Sequence, residues 1–99
     1  MEFLDAKKDL YDKLGKLLTS PNYHVMLLRA ERVEAALYNV VQLSHRRPRW
    51  ARWREPMEEA VETVRRLRDG HAISDVARGR MFTTVYNLRR YLYENLLSC

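Results

Sequence analysis

The stretch PNYHVMLLRAERVEAALYNVVQL, residues 21–43, decides the fold because its apolar side chains recur with the period of a long α-helix. The residues expected on its buried face are Met26, Ala30, Val33, Leu37 and Val40 or Val41. A helix of this length can span a small domain, so we expect it to be the central helix. Thr19 and Ser20 offer a cap hydroxyl before it, and Pro21 is tolerated in a first turn.

Helical patterns continue on both sides of the central stretch. We predict helices at 3–18, 56–69 and 73–97, the last one either continuous or broken near Gly79. In 56–69 the glutamates come early and the arginines late, which suits the helix dipole. Gly70 can end that helix, and Ser74 can cap the next one. The chain therefore predicts an all-α bundle of four or five helices, forming a single domain over residues 1–99.

Length and composition limit the class of protein. At 99 residues and 46% hydrophobic content, the chain can sustain one modest core and is too apolar for a disordered tail. No apolar run approaches the roughly 20 residues that a membrane span needs, and acids and lysines occupy the N-terminus where a signal peptide would be hydrophobic. The single cysteine, Cys99, cannot form an internal disulfide, which agrees with a reducing compartment. We expect a cytoplasmic protein that does not enter a membrane.

The net charge of +5 equals the charge of the five arginines between positions 46 and 54, in the stretch SHRRPRWARWRE, residues 44–55, called the Arg/Trp segment below. Residues 1–45 and residues 55–99 each carry equal numbers of basic and acidic side chains. Pro48 and Pro56 discourage helix at the residue before each, so we predict a loop, either without regular structure or with one helical turn. Guanidinium groups interleaved with indoles suit phosphates and the faces of bases, which points to a nucleic-acid partner. The candidate binding residues here are Arg46, Arg47, Arg49, Trp50, Arg52, Trp53 and Arg54.

The same segment has other interpretations. It can be a solvated structural loop whose arginines pair with Glu31, Glu34, Glu55 or Glu58. Its two tryptophans can form a lid on a small core. An acidic protein partner is a further alternative. A membrane surface is the least favoured partner, because the charge lies on a loop broken by prolines and not along an amphipathic helix.

The stretch AISDVARGRMFTTVYNLRRYL, residues 72–92, resembles a helix-turn-helix unit. Ile73, Val76 and Ala77 fit the first helix of that family, Gly79 its turn, and Val85 with Leu88 the buried positions of its recognition helix. The resemblance implies double-stranded DNA binding, with the Arg/Trp segment as an arm on the phosphates or the minor groove. It also implies a set of contact residues. Thr83, Thr84, Asn87 and Arg90 would face the major groove, and Arg78 and Arg80 would hold the backbone beside the turn.

The same residues have an alternative interpretation in which they serve only the fold. The core stripe of a fourth bundle helix would equally contain Val85, Leu88, Leu92 and Leu96. A second stripe on this helix is formed by Phe82, Tyr86, Tyr93 and Leu97. A small monomer has little core to absorb two stripes. We therefore expect a symmetric homodimer through the C-terminal helix.

Signals for catalysis are few. His24, His45 and His71 are far apart in sequence, no His or Cys pair has metal-ligand spacing, and there is no glycine-rich phosphate loop. No metal or cofactor is expected. Arg66 followed by His71 is similar to the Arg-x4-6-His signature of small helical nucleases of the HEPN class, and that resemblance implies RNA cleavage with His71 in acid-base work.

The sequence thus predicts a small, non-catalytic nucleic-acid-binding protein, with DNA preferred over RNA because of the helix-turn-helix resemblance. The first alternative is a structural or protein-interaction bundle whose Arg/Trp segment docks an acidic partner. The second is the HEPN-like ribonuclease.

Overall fold

Four long helices and one short helix make up the computed structural model, which describes residues 2–45 and 48–97 and has no β-strand among them. The prediction of an all-α bundle is confirmed. The helices are α1 (Phe3–Leu18), α2 (Tyr23–Leu43), α3 (Pro48–Ala51), α4 (Arg54–Arg68) and α5 (Asp75–Glu94). Arg46 and Arg47, both candidate binding residues, lie outside the described residues.

The four long helices pack in a ring, with α1 on α2, α2 on α4, α4 on α5, and α5 back on α1. Each one turns an apolar stripe toward the common core. Its fully enclosed aliphatic side chains include Leu10, Leu14, Val33, Leu37, Val40, Met57, Leu88 and Leu92. Ala30, Ala36 and Ala60 let the helices approach closely at intermediate positions. The core therefore draws on every long helix, as their periodicity predicts.

The turn between α1 and α2 differs from the predicted one in its capping. Asn22 is the N-cap of α2, since its side-chain oxygen accepts a hydrogen bond of 2.9 Å from the Val25 N–H. The hydroxyls of Thr19 and Ser20 instead donate to the carbonyls of Lys16 and Leu17, at 3.1 and 2.8 Å. These two hydroxyls complete the C-terminal end of α1, where the last carbonyls of any helix lack partners. The helix expected over 21–43 therefore begins two residues later.

The turn between α4 and α5 follows the signals in its sequence. Gly70 adopts a left-handed φ of 81°, which residues with a Cβ rarely adopt. Ser74 caps α5 by accepting a 3.1 Å hydrogen bond from the Ala77 N–H. The helices predicted at 56–69 and 73–97 are observed at Arg54–Arg68 and Asp75–Glu94.

Gly79 lies inside α5, which runs through it without interruption. The alternative with a break near residue 79 is therefore wrong, and the turn that the helix-turn-helix resemblance places there is not formed. Glycine inside a helix costs about 1 kcal/mol relative to alanine. The buried stripe of Met81, Val85, Leu88 and Leu92 outweighs that cost, because packing supplies most of the stability of a protein helix.

Replacing Gly79 by alanine tests the continuity of α5. No heavy atom lies within 4 Å of a Cβ built at Gly79, so we expect Gly79→Ala to raise the free energy of unfolding by about 0.5–1 kcal/mol. Gly70→Ala is the matched control and should lower it by about 1 kcal/mol, because the left-handed φ at Gly70 is strained for alanine. Urea denaturation measures both. Destabilisation by Gly79→Ala would show that a turn exists at residue 79.

Candidate nucleic-acid interface

The tryptophans of the Arg/Trp segment point into the protein. Trp50, on α3, is 0% exposed and packs edge-on against Phe3 and Tyr91, with ring centroids 5.9 and 5.1 Å away. Trp53 is half-buried, with its ring 5.7 Å from that of Tyr91. The prediction of Trp50 as a nucleic-acid-binding residue is therefore wrong, because a fully buried indole has no face free for a base. An indole buries more apolar surface than any other side chain, which drives it into the core when helix ends leave space.

The Arg/Trp segment contains the one helical turn that its sequence allows, α3, and α4 begins inside the segment, two residues before the predicted start at Pro56. Pro48 begins α3, and Pro56 lies in the first turn of α4, which begins at Arg54. Proline costs nothing in hydrogen bonds at these positions, because the first N–H groups of a helix have no partner within it. Pro48 therefore starts a helix here, and Pro56 fits in the first turn of the next one.

Lys7 completes the aromatic cluster around Trp50. Its side chain is buried, and its ammonium group is 4.5 Å from the centroid of the Phe3 ring and 5.9 Å from that of Trp50. The Nζ atom donates a 2.9 Å hydrogen bond to the carbonyl oxygen of Asn95, at the C-terminal end of α5. A cation is stabilised both by aromatic faces and by a helix C-terminus. Lys7 thus ties α1 to the end of α5 beside Trp50.

The described arginines of the segment lie over aromatic rings. The Cζ atom of Arg52 is 5.0 Å from the centroid of Tyr91 and 5.5 Å from that of Trp53, and the Cζ of Arg49 is 5.9 Å from that of Trp50. Neither Arg49 nor Arg52 forms an ion pair with a described carboxylate. Arg52 is exposed and Arg49 half-buried. The positive charges of Arg49 and Arg52 are therefore not neutralised by an ion pair with a described carboxylate.

Truncating Trp50 should damage the whole bundle. We expect Trp50→Ala to lower the free energy of unfolding by about 3–5 kcal/mol, because it opens a cavity among Phe3, Lys7 and Tyr91. Trp50→Phe should cost less, since it keeps a ring and removes an indole N–H that has no acceptor among the described residues. Urea denaturation of the two variants measures the difference. Wild-type stability in Trp50→Ala would contradict the inward placement.

Arg54 lies on a different face, beside carboxylates. Its Cζ is 5.8 Å from the ring centroid of Tyr38, and it lines an open cleft with Glu31, Glu34 and Glu58. Burial, reinforced by the Glu58 carboxylate, raises the pKa of Glu34, while Arg65 and Arg54 act in the opposite direction. A polyanion approaching Arg54 would therefore meet three carboxylates that repel it. Arg54 is for this reason an unfavourable position for a phosphate contact.

The raised pKa of Glu34 gives a signed pH dependence. The folded protein holds the proton of the Glu34 carboxyl group more tightly than the unfolded chain does. The ionised carboxylate therefore lowers the free energy of unfolding near neutral pH, and this loss of stability disappears as the pH falls below 4.5, the ordinary pKa of a glutamate. We expect Glu34→Gln to melt above the wild type near neutral pH and together with it in acid. Arg54→Gln should raise the pKa of Glu34 further, as read from its carboxyl carbon by NMR. A fall in that pKa would contradict the assignment.

The predicted contact residues on α5 divide into four groups. Thr84 is only 8% exposed and packs against the core, so its expected position facing a major groove is wrong. Arg80 is exposed but pairs with Glu59 of α4, at 2.8 Å. Arg78 and Thr83 are exposed without a partner that the described structure shows, and Asn87 and Arg90 are exposed beside a groove.

This groove runs between α1 and α5 and has a volume of about 510 Å³. Its lining combines aromatic rings with guanidinium groups. The residues of this Tyr–Arg groove are Tyr11, Tyr86, Asn87, Arg89, Arg90 and Tyr93. No acidic residue lines it, in contrast to the cleft beside Arg54.

The Tyr–Arg groove is held in place by contacts between its own side chains. The rings of Tyr11 and Tyr93 lie 6.4 Å apart, and the Cζ of Arg89 is 4.4 Å from the centroid of Tyr11. Gly15 makes room for Arg89, because a Cβ there would lie 3.4 Å from the guanidinium. Tyr86 and Tyr93 remain 59% and 71% exposed. The groove therefore presents two open tyrosine faces beside a fixed guanidinium.

No known protein family, curated protein or solved structure matches this chain.

Four residues of the Tyr–Arg groove were not among the predicted binding residues: Tyr11, Tyr86, Arg89 and Tyr93. Tyr86 and Tyr93 are spaced seven apart and were assigned to a dimer stripe. Arg89 follows the buried Leu88 and precedes the predicted Arg90, and nothing in its spacing separates it from the other arginines. The packing of α5 on α1 brings Tyr11 to the groove from 75 residues away, a pairing that periodicity does not reveal.

The described residues contain no group of three or more His, Cys, Asp or Glu side chains arranged to hold a metal ion. Across the same residues, no helix combines the length and apolarity needed to cross a membrane. Arg66 is exposed near the end of α4 and His71 is exposed beyond it, joined through a 2.9 Å hydrogen bond from the His71 N–H to the Arg66 carbonyl.

Proposed function

We propose that the protein binds nucleic acid through the Tyr–Arg groove and catalyses no reaction on it. The observation that carries the proposal is the meeting of three tyrosines and two arginines in one open groove without a carboxylate in its lining. Tyrosine faces stack on bases whatever their sequence, and guanidinium groups bind phosphates. Both kinds of contact are needed for a nucleic acid, and both are supplied within one groove.

Each side chain has a role in this proposal. Tyr86 and Tyr93 are the stacking platforms because they are the most exposed rings of the groove. Arg89 stays on Tyr11 and adds fixed positive charge. Arg90 forms an exposed ion pair with Glu94, at 2.9 Å, which is worth little in water and can be exchanged for a phosphate.

The proposal includes DNA as the preferred nucleic acid because of the residues exposed along α5, and not because of a helix-turn-helix, whose turn at Gly79 is not formed. Thr83, Asn87 and Arg90 lie three and four residues apart on the exposed side of α5, which is a pattern that a single helix can offer to a major groove. The tyrosines favour unpaired bases, because stacking needs a free face. Single-stranded and duplex DNA are therefore compared in the test, with RNA as a third ligand.

The homodimer predicted through α5 competes for the same surface. Phe82, Tyr86, Tyr93 and Leu97 are exposed, but Leu97 lies beyond the end of α5, and Tyr86 and Tyr93 belong to the Tyr–Arg groove. A symmetric contact centred on the groove would bring Arg89 and Arg90 toward their own copies, and like charges facing each other oppose association. We propose that the groove serves a polyanion in preference to a second copy.

Affinity for oligonucleotides tests the proposal. We expect fluorescence anisotropy to show binding that falls steeply with salt, because bound phosphates release counterions. Tyr86→Ala and Tyr93→Ala should each weaken binding at least about fivefold, since a stacked base contributes about 1–3 kcal/mol. Tyr86→Phe keeps the ring and should bind like the wild type. Tyr23→Ala, which removes an exposed tyrosine outside the groove, is the matched control.

Three outcomes would contradict the proposal. Equal affinity in the wild type and both alanine variants would remove the groove from the binding surface. If only Arg49→Gln and Arg52→Gln abolish binding, the contact with the nucleic acid lies on the Arg/Trp segment. If the protein also binds an acidic peptide more tightly than the nucleic acid, a protein partner is favoured. RNA cleavage that His71→Ala abolishes would establish the HEPN-like alternative.

A further inference from the structure

A second charged cleft lies on the other flank of α1, between α1 and α2. It has a volume of about 290 Å³, and all the residues that line it are basic: Lys13 and Lys16 from α1, and Arg29 and Arg32 from α2. None of them lines the Tyr–Arg groove, and none was singled out as a binding residue from the sequence. The first 45 residues carry equal numbers of basic and acidic side chains, so their composition gives no sign of this basic cluster.

The fold produces this cluster by sorting the charges of α2. Arg29 and Arg32 line the cleft toward α1, whereas Glu31 and Glu34 line the separate cleft toward α4. Alternating charges in the sequence thus become one basic face and one acidic face. Like charges brought together on a surface repel one another, and a bound anion relieves that repulsion.

Most of the cluster is free to take an anion. Lys13 pairs with Asp9, one turn away on α1. Lys16, Arg29 and Arg32 form no ion pair with a carboxylate among residues 2–45 and 48–97. Elsewhere on the protein, the arginines at positions 65, 68, 80 and 90 each have an acidic partner. The cleft therefore holds three cations whose charge no described carboxylate offsets.

Arg29 gives the cleft a fixed element. It is half-buried, and its Nη1 atom donates a 2.8 Å hydrogen bond to the carbonyl oxygen of Lys16 in the last turn of α1. This bond uses one guanidinium N–H and leaves four, in a planar group already oriented by the protein. Lys16 and Arg32, both exposed, can close on a ligand from either helix.

We propose that this basic cleft between α1 and α2 is a binding site for a ligand that carries two or more phosphate groups. A single phosphate could engage one or two of the cations, whereas a chain of phosphates matches three or four of them across the two helices. The ligand is either a free condensed phosphate or successive phosphates of a nucleic-acid backbone. The chemistry recognised is the same in both cases.

Titration of the full chain with tripolyphosphate tests the site, with binding measured by calorimetry and located by amide chemical shifts. We expect saturable binding with the largest shifts around residues 13–17 and 28–33. The double variant Lys16→Gln/Arg32→Gln should bind at least about tenfold more weakly, because it removes two charged contacts. Lys8→Gln/Arg66→Gln removes the same net charge from exposed positions outside the cleft and should bind within about twofold of the wild type.

Absence of saturable binding, or equal weakening by both double variants, would overturn the proposal. A single-stranded oligonucleotide identifies the source of the phosphates: lower affinity in Lys16→Gln/Arg32→Gln assigns the cleft to the backbone, and unchanged affinity assigns it to a free condensed phosphate. Tyr86→Ala separates this site from the Tyr–Arg groove, because it should leave tripolyphosphate binding unchanged. The basic cleft can therefore fail while the groove succeeds, and the reverse.

Discussion

Insertion of the Trp50 indole between α1 and α5 is the constraint on which the rest of the structure depends. The ring meets Phe3 at the start of α1 and Tyr91 near the end of α5, and the buried Lys7 lies against it. Because these partners come from opposite ends of the chain, one side chain from the middle of the sequence fixes how α5 lies on α1. That relation creates the Tyr–Arg groove. The aromatic residue that looks most suited to stacking on bases is therefore used inside the protein, and it positions other aromatic residues outside.

The sequence predicts the long helices well, and its errors fall where local signals compete with packing. Apolar residues at helical spacing identify the buried stripes of α1, α2 and α4, and Gly70 and Ser74 act as their residue types predict. Gly79 is misleading because its local preference for a turn is weaker than the burial of the α5 stripe. Pro48 and Pro56 are misleading because proline breaks a helix in its interior but is tolerated in its first turn. Trp50 is misplaced because neighbouring arginines suggest a surface, whereas only the fold shows a space that an indole fills.

The candidate sites are less predictable than the helices, since they depend on which faces of the helices meet. Asn87 and Arg90 were predicted as contacts and do line the Tyr–Arg groove. Of the other four residues, Tyr11 comes from α1, Tyr86 and Tyr93 come from the dimer stripe, and Arg89 carries no signal in its spacing. The basic cleft and the acidic cleft arise from alternating charges on α2 that point to opposite neighbours. The distribution of charge along the sequence places the excess of basic residues in the Arg/Trp segment. The places where charged side chains gather on the surface depend instead on helix packing. Composition therefore suggests a polyanion, and only the fold shows where one would fit.

The central claim is that the exposed tyrosines of the Tyr–Arg groove, and not the indoles of the Arg/Trp segment, meet the bases. Photo-crosslinking to an oligonucleotide that contains 5-bromodeoxyuridine, followed by peptide mass spectrometry, measures this directly, because the excited base joins to aromatic side chains stacked on it. Stacking of bases in the Tyr–Arg groove predicts adducts at Tyr86 or Tyr93 and none at Trp50. Adducts confined to Trp50 and Trp53 would contradict it, since they would require the core aromatic cluster to open toward the nucleic acid.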